Sequence, residues 1–160
     1  MAQQVVRKEI ETVLVVDDEH RVLSVAVKIL KDANYNVLLA ESGANAIDLA
    51  GNYTGSIDLL LSDVQMPEMT GPDLGQALKK ARPKLRIMFM SGFMGGDLLV
   101  LNYGWSYVKK SYVPKKLLQM VKDVLAAPDK SQGMQQFEIS EDTDPDKKIE
   151  AGQTPPADGK

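Results

Sequence analysis

Strand-like and helix-like segments alternate between residues 12 and 127, and the strand-like ones are apolar on both faces. Together these features predict an α/β protein with a mostly parallel, doubly wound sheet. Five short apolar runs carry the prediction: TVLVV at 12–16, VLLA at 37–40, IDLLLS at 57–62, LRIMFM at 85–90 and SYVK at 106–109. A strand wetted on one face alternates apolar and polar residues. TVLVV does not, and LLL and IMFM scarcely do, so helices must cover both sides. A third observation concerns polarity, because the charged residues collect where these runs end, and that edge is where such sheets bind ligands.

The intervening segments have helical spacing. From His20 to Ala33, the residues Val22, Leu23, Val25, Ala26, Ile29 and Leu30 follow the i, i+3, i+4, i+7 pattern. Tyr112 to Ala127 repeats it with Leu117, Leu118, Val121, Val124 and Leu125. Ser42 suits the N-cap of a helix ending near Gly51, and Gly71-Pro72 opens another that finishes in Lys79, Lys80 and Arg82, whose charges complement the helix dipole.

Composition narrows the chemistry. The chain has 160 residues, 44% hydrophobic and 26% charged, as expected of one globular domain with an appendage. No apolar run approaches the ~20 residues of a membrane span, and MAQQVVRKEIE has no secretory signal, so a cytoplasmic protein without membrane contact is expected. The absence of cysteine removes thiolate nucleophiles and Cys-bound metals, and the single histidine, His20, makes a histidine-built metal site improbable. Residues 1–128 hold 15 Lys+Arg against 14 Asp+Glu, while 129–160 hold 4 against 8, so the net charge of -3 belongs to the tail. That tail has few apolar residues and three prolines, too little burial to offset its ordering entropy, and is expected to be disordered. A short partner-binding motif around Phe137 and Ile139 is the functional alternative. The basic run Lys79, Lys80, Arg82, Lys84 and Arg86 reads as a solvated face, and no direct nucleic-acid contact is expected.

The strand ends deliver a constellation. The first run leads into Asp17-Asp18-Glu19, the third into Ser62-Asp63, the fourth into Ser91-Gly92 and the fifth into Lys109-Lys110. Clustered carboxylates repel and raise one another's pKa unless a cation intervenes. Mg²⁺ fits, because it takes hard oxygen ligands and keeps several waters for a phosphate to displace. With Lys110 as a second positive charge, the crevice would neutralise the oxygens of a transferring phosphoryl group.

The motifs VLVVDDE, IDLLLSDVQMPEMTG, IMFMSG and YVKKSYVPKKLLQMV, in this order, resemble the receiver domain of two-component response regulators across residues 11–127. The resemblance implies a flavodoxin-like fold with five parallel strands in the order 2-1-3-4-5, an N-terminal extension over 1–11, a receiver over 12–127 and an acidic tail over 128–160. It implies that Asp63 accepts phosphate from a histidine kinase or histidine phosphotransfer protein. Mg²⁺ would be bound by Asp18, Asp63 and the backbone carbonyl of Gln65, with Asp17 acting through water. Lys110 would pair with the phosphoryl oxygens, Ser91 would hydrogen-bond them after transfer, and Tyr107 would be the aromatic switch that follows Ser91 inward. Met66-Pro67 and Gly71 match the loop around the acceptor. Such a domain phosphorylates and dephosphorylates itself with Mg²⁺ but is not a turnover enzyme on a separate substrate. It signals by protein contacts to an unidentified downstream partner, and homodimerisation is compatible with it.

Two departures stand out. Ser111 follows Lys110 where the family usually has proline after a cis bond, and a cis bond before another residue costs about 2.5–4 kcal/mol, so a trans bond and a rebuilt loop are expected. The stretch from Ser91 to Lys110 is short and contains Gly95 and Gly96, so a fourth helix there should be short or irregular, with Trp105 as packing. These departures motivate the alternative of a degenerate receiver acting as a phosphorylation-independent interaction module. A Mg²⁺-dependent phosphatase would need a further acid or base and a substrate cap, and a flavin carrier would need a Gly/Ser/Thr-rich first turn in place of acids. No output domain is expected after residue 128.

Overall fold

The computed structural model describes residues 8–92 and 105–128. Five strands, β1 (Thr12–Val16), β2 (Asn36–Ala40), β3 (Leu59–Asp63), β4 (Arg86–Ser91) and β5 (Ser106–Lys109), pair in parallel in the order β2-β1-β3-β4-β5. Four helices connect them or follow them: α1 (His20–Asp32), α2 (Gly43–Asn52), α3 (Gly71–Ala81) and α4 (Pro114–Ala126). The doubly wound sheet and its strand order are as the sequence implies. The expected irregular helix falls within 93–104, and the acidic tail beyond 128, outside the described residues.

Continuous apolarity has the cause inferred for it. Leu14, Val16, Leu60, Ile87 and Phe89 point to one face, where they meet Ala46 of α2 and Leu74 and Leu78 of α3. Their strand neighbours Val13, Val15, Leu59, Leu61, Met88 and Met90 point to the other, against Leu23 and Leu30 of α1 and Leu117 and Val121 of α4. Each of these side chains larger than alanine stabilises the fold by roughly 1.5–3 kcal/mol on leaving water.

The helix starts follow local chemistry. Ser42 accepts the Asn45 amide at 3.1 Å, and Thr70, directly before Gly71-Pro72, accepts that of Asp73 at 3.2 Å. The last helix begins at Pro114 and not at Tyr112. Proline lacks the N–H that a first turn leaves unpaired, and it drives the preceding Val113 into extended backbone, φ -86° and ψ 150°. Tyr112 therefore lies in the loop after β5.

The basic run is not simply a solvated face. Arg82 donates to the carbonyls of Ala50, Tyr53 and Gly55 at 2.9, 2.7 and 2.9 Å, satisfying the C-terminal end of α2 and the loop beyond it. Arg86 does the same for Leu125 and Ala127 at the end of α4, and Lys79 donates to Leu85 O at 2.8 Å. These cations sit where carbonyls of helix ends and of the loops beside them would otherwise be orphaned, a role decided by tertiary neighbours.

Candidate functional site

β1 and β3 run side by side, Val16 opposite Ser62, so the residues that follow each strand or end it emerge together at the carboxyl edge. Asp17 is fully buried there and Asp63 is 6% exposed, whereas Asp18 lies at the surface. One carboxylate oxygen from each of the three lies within 4.8 Å of the others, the only such cluster of acidic, histidine or cysteine ligands among the described residues. His20 is not in it and instead faces Glu41, Nδ1 to Oε1 3.3 Å.

Lys110 enters from the far side. Its amide donates to Ser91 O at 2.8 Å, extending the β4–β5 ladder by one residue. Its Nζ lies 3.1 Å from Asp17 Oδ2, 3.2 Å from Asp63 Oδ2 and 3.9 Å from Glu19 Oε1. No described peptide bond is cis, so the Lys110–Ser111 bond is trans as expected, and it leaves the ammonium between the two buried acids. Lys109 projects to solvent, as alternation requires. Ser91 is buried at the end of β4, and half-buried Tyr107 lies two positions back on β5, opposite Phe89, with Trp105 5.5 Å from that ring.

The electrostatics are unbalanced. Burial pushes the Asp63 carboxyl up from its ordinary 3.8 to about 6, with the Asp17 charge adding to the rise and Lys110 opposing it. Asp17 is also raised, first by burial, against the pull of the Glu19 amide on Oδ1 at 2.8 Å and of Lys110. For Lys110, burial lowers the pKa, but the two carboxylates outweigh it and the ammonium is held above its usual range. Asp17 Oδ2 is buried, and the partner that reaches it is the Lys110 ammonium at 3.1 Å. One ammonium thus faces two buried acids, Asp17 and Asp63, and the exposed Glu19, with the exposed Asp18 adding a further negative charge to the cluster. An all-oxygen cluster with excess negative charge, two of its three carboxylates buried, fits a hard divalent cation such as Mg²⁺ and suits no thiophilic metal.

The loop after β3 holds Asp63 in place. Ser62 Oγ donates to Asp63 O at 2.9 Å, the Gln65 amide reaches Asp63 Oδ1 at 3.4 Å, and Gly71 N donates to Val64 O at 2.8 Å. Glu68, at φ 68°, turns the chain through the left-handed region. A Cβ on Gly71 would stand 2.2 Å from Asp63 O, so only glycine permits this closure.

Residues 13–122 match the response regulator receiver domain family. The chain belongs to that family. The receiver is similar to a region of the sensor kinase CckA of Brucella abortus, 34% identical over 121 residues that make up 74% of this chain and 13% of that protein. It is also similar to the transcriptional regulatory protein CpxR of Escherichia coli, 32% identical over 117 residues, covering 71% of this chain and 48% of that protein. The chain therefore spans half or less of these relatives. Among solved structures, the receiver domain of the hybrid histidine kinase CckA is 35% identical with a TM-score of 0.61, covering 71% of this chain and 98% of that one. A CheY-like receiver from Methanospirillum hungatei is 26% identical with a TM-score of 0.66, covering 78% and 98%. No helix of the receiver is long and apolar enough, among the described residues, to cross a membrane.

Sequence reasoning reached the acids and Lys110 of this receiver but missed one neighbour. Tyr112, assigned to the last helix by periodicity, is half-buried in the β5–α4 loop, where burial and then the Asp17 charge raise its pKa. Only the Pro114 start signal could have moved it out of the helix.

Proposed function

We propose that this receiver accepts a phosphoryl group on Asp63 from the phosphohistidine of a histidine kinase or histidine phosphotransfer protein and passes the signal on by protein contacts. The observation that carries this reading is the placement of the Asp63 carboxylate beside the Lys110 ammonium, with Asp17 and Asp18 close enough to share a cation with it. An Asp63 oxygen attacks phosphorus as the P–N bond to the donor imidazole breaks, and the leaving nitrogen takes its proton from solvent. Asp18, Asp63 and the Gln65 carbonyl would hold Mg²⁺ directly and Asp17 through water, and the ion would supply charge neutralisation for the phosphoryl oxygens. Lys110, freed from part of its pairing with Asp63, turns to the incoming phosphoryl oxygens. Ser91, buried at the next strand end, donates to them after transfer, and Tyr107 follows it inward as the switch. Hydrolysis of the acyl phosphate by water returns the resting state.

The degenerate alternative drew on Ser111 and the short region before β5. The position of Lys110 between Asp17 and Asp63, with a trans bond following it, supports the competent reading instead. The test is intact mass after incubation with a small phosphodonor and Mg²⁺. One phosphoryl group gained by the wild type, and none by Asp63→Ala or without metal, is expected. No gain by the wild type returns the degenerate module, and turnover of added phosphoesters would indicate a phosphatase.

A further inference from the structure

Among the described residues the sheet ends at β2, and nothing blunts this edge. Strands on an open edge are normally protected by a charge, a proline or a bulge. Asn36–Ala40 reads NVLLA, pairs with β1 without a break in register and carries none of these. Leu39 is 48% exposed.

The direction of the free backbone groups follows from the bonds to β1. Asn36 N donates to Glu11 O, and Ala40 O accepts from Asp17 N, so residues 36 and 40 face β1. Backbone groups of a strand alternate sides with period two, which turns Leu38 inward and the N–H and C=O of Val37 and Leu39 outward. Two donors and two acceptors thus line an edge that no strand covers among the described residues.

Grooves of opposite character flank this edge. On the α1 side, about 380 Å³ is floored by Leu23, Val27 and Leu39 and rimmed by Lys31 and by Lys28, which pairs with Asp32 at 3.0 Å, so the rim keeps one net positive charge. On the α2 side, about 430 Å³ presents Glu41 and Asp48 beside Asn45 and Asn52. A second copy of the chain pairing antiparallel here would set each groove against its own twin, with Asp48 and Glu41 meeting acids. A strand whose alternate residues differ in charge avoids that conflict.

We infer that β2 is a docking edge for an extended segment of a partner protein, which adds as a sixth strand with apolar and acidic side chains toward α1 and basic side chains toward α2. The backbone of Val37 and Leu39 supplies the pairing, Leu39 the apolar contact, and the two grooves the choice of face and register. The edge is distinct from the acidic site, since Leu39 lies outside the cluster around Asp63.

The probe is acetyl-Glu-Lys-Val-Arg-Val-Lys-Glu-amide, titrated into the full ¹⁵N-labelled chain. Expected are shift changes centred on residues 36–40 and a roughly tenfold or greater slowing of hydrogen exchange at the Val37 and Leu39 amides at saturation. A peptide of the same composition with its charges blocked together, and one N-methylated on the edge-facing amides, should bind at least about tenfold more weakly. Leu39→Pro removes an outward N–H, which edge strands tolerate, together with the apolar contact of the side chain, and should abolish binding while leaving phosphoryl acceptance intact. Leu39→Lys tests the same point if the proline variant does not fold. Equal binding of the scrambled peptide, or no slowing at Val37 and Leu39, overturns the inference. So does a dimer in sedimentation that Leu39→Lys dissociates, or protection of those amides in the free chain, which would mean that the edge is covered by a second copy or by the chain's own termini.

Discussion

Asp63→Asn in metal-free buffer isolates the electrostatic cost of the site. Asparagine keeps the shape of the carboxyl and can still accept from the Gln65 amide, and the change removes the charge together with one acceptor of the Lys110 ammonium, since Nδ2 takes the place of Oδ2. The carboxyl is raised from 3.8 in the unfolded chain to about 6 in the fold. For an acid raised on folding, the penalty is absent while both states are protonated, grows as pH rises between the two values, and is complete above about 6. Each pH unit of displacement corresponds to about 1.4 kcal/mol, so ionised Asp63 destabilises the fold by about 3 kcal/mol at pH 7.5. The attraction of Lys110 is already inside that figure, because it opposes the rise. For a domain of this length, about 3 kcal/mol is a gain of about 10 °C in melting temperature. Thermal unfolding in EDTA at pH 7.5 should therefore show Asp63→Asn well above wild type. The gap should shrink below about 1 kcal/mol at pH 4, where the native carboxyl is protonated and only the unfolded one partly ionises. Added Mg²⁺ should stabilise the wild type more than the variant. A variant melting with or below wild type in EDTA at pH 7.5, or a gap that does not depend on pH, refutes the account of Asp63 as a carboxylate held at a cost for want of a cation.

Other consequences follow from the same geometry. Lys110→Met leaves Asp17 and Asp63 buried without their counter-charge, and should cost about 3–5 kcal/mol in EDTA by urea unfolding, with partial recovery in Mg²⁺ and loss of phosphoryl acceptance. Mg²⁺ must compete with a proton on Asp63, so its affinity, followed by calorimetric titration, should be level above pH 6 and fall as the pH drops below it. Gly71→Ala drives a methyl group into Asp63 O, and should destabilise by about 1–3 kcal/mol or more in urea and slow phosphorylation as the acceptor loop shifts. Arg82→Ala orphans three carbonyls around the end of α2, and should cost about 2–4 kcal/mol, with amide exchange accelerating first in α2 and little change at the acidic site.

The order of what is local and what is not explains how far the sequence could be read. Apolar runs without alternation dictated strands covered on both faces, and helical spacing dictated what covers them, because burial leaves no other arrangement for TVLVV or for Leu117 and Val121. The acids and Lys110 were legible for the same reason: each directly follows or ends a strand, and parallel strands deliver their ends to one edge. Caps and breaks were read less evenly. Ser42 announces its helix, and periodicity alone starts the last helix at Tyr112, two residues before Pro114, where it begins. What tertiary structure alone decided are the pairings between distant segments. Arg82 and Arg86 read as surface charge until the ends of α2 and α4 were brought to them. Asp17 and Asp63 acquire a shared excess of charge only when burial lowers the dielectric around both. The run NVLLA does not by itself encode its place at the edge of the sheet; that place was legible through the family resemblance, which implies the strand order, while the grooves that flank the edge were decided by the packing of α1 and α2.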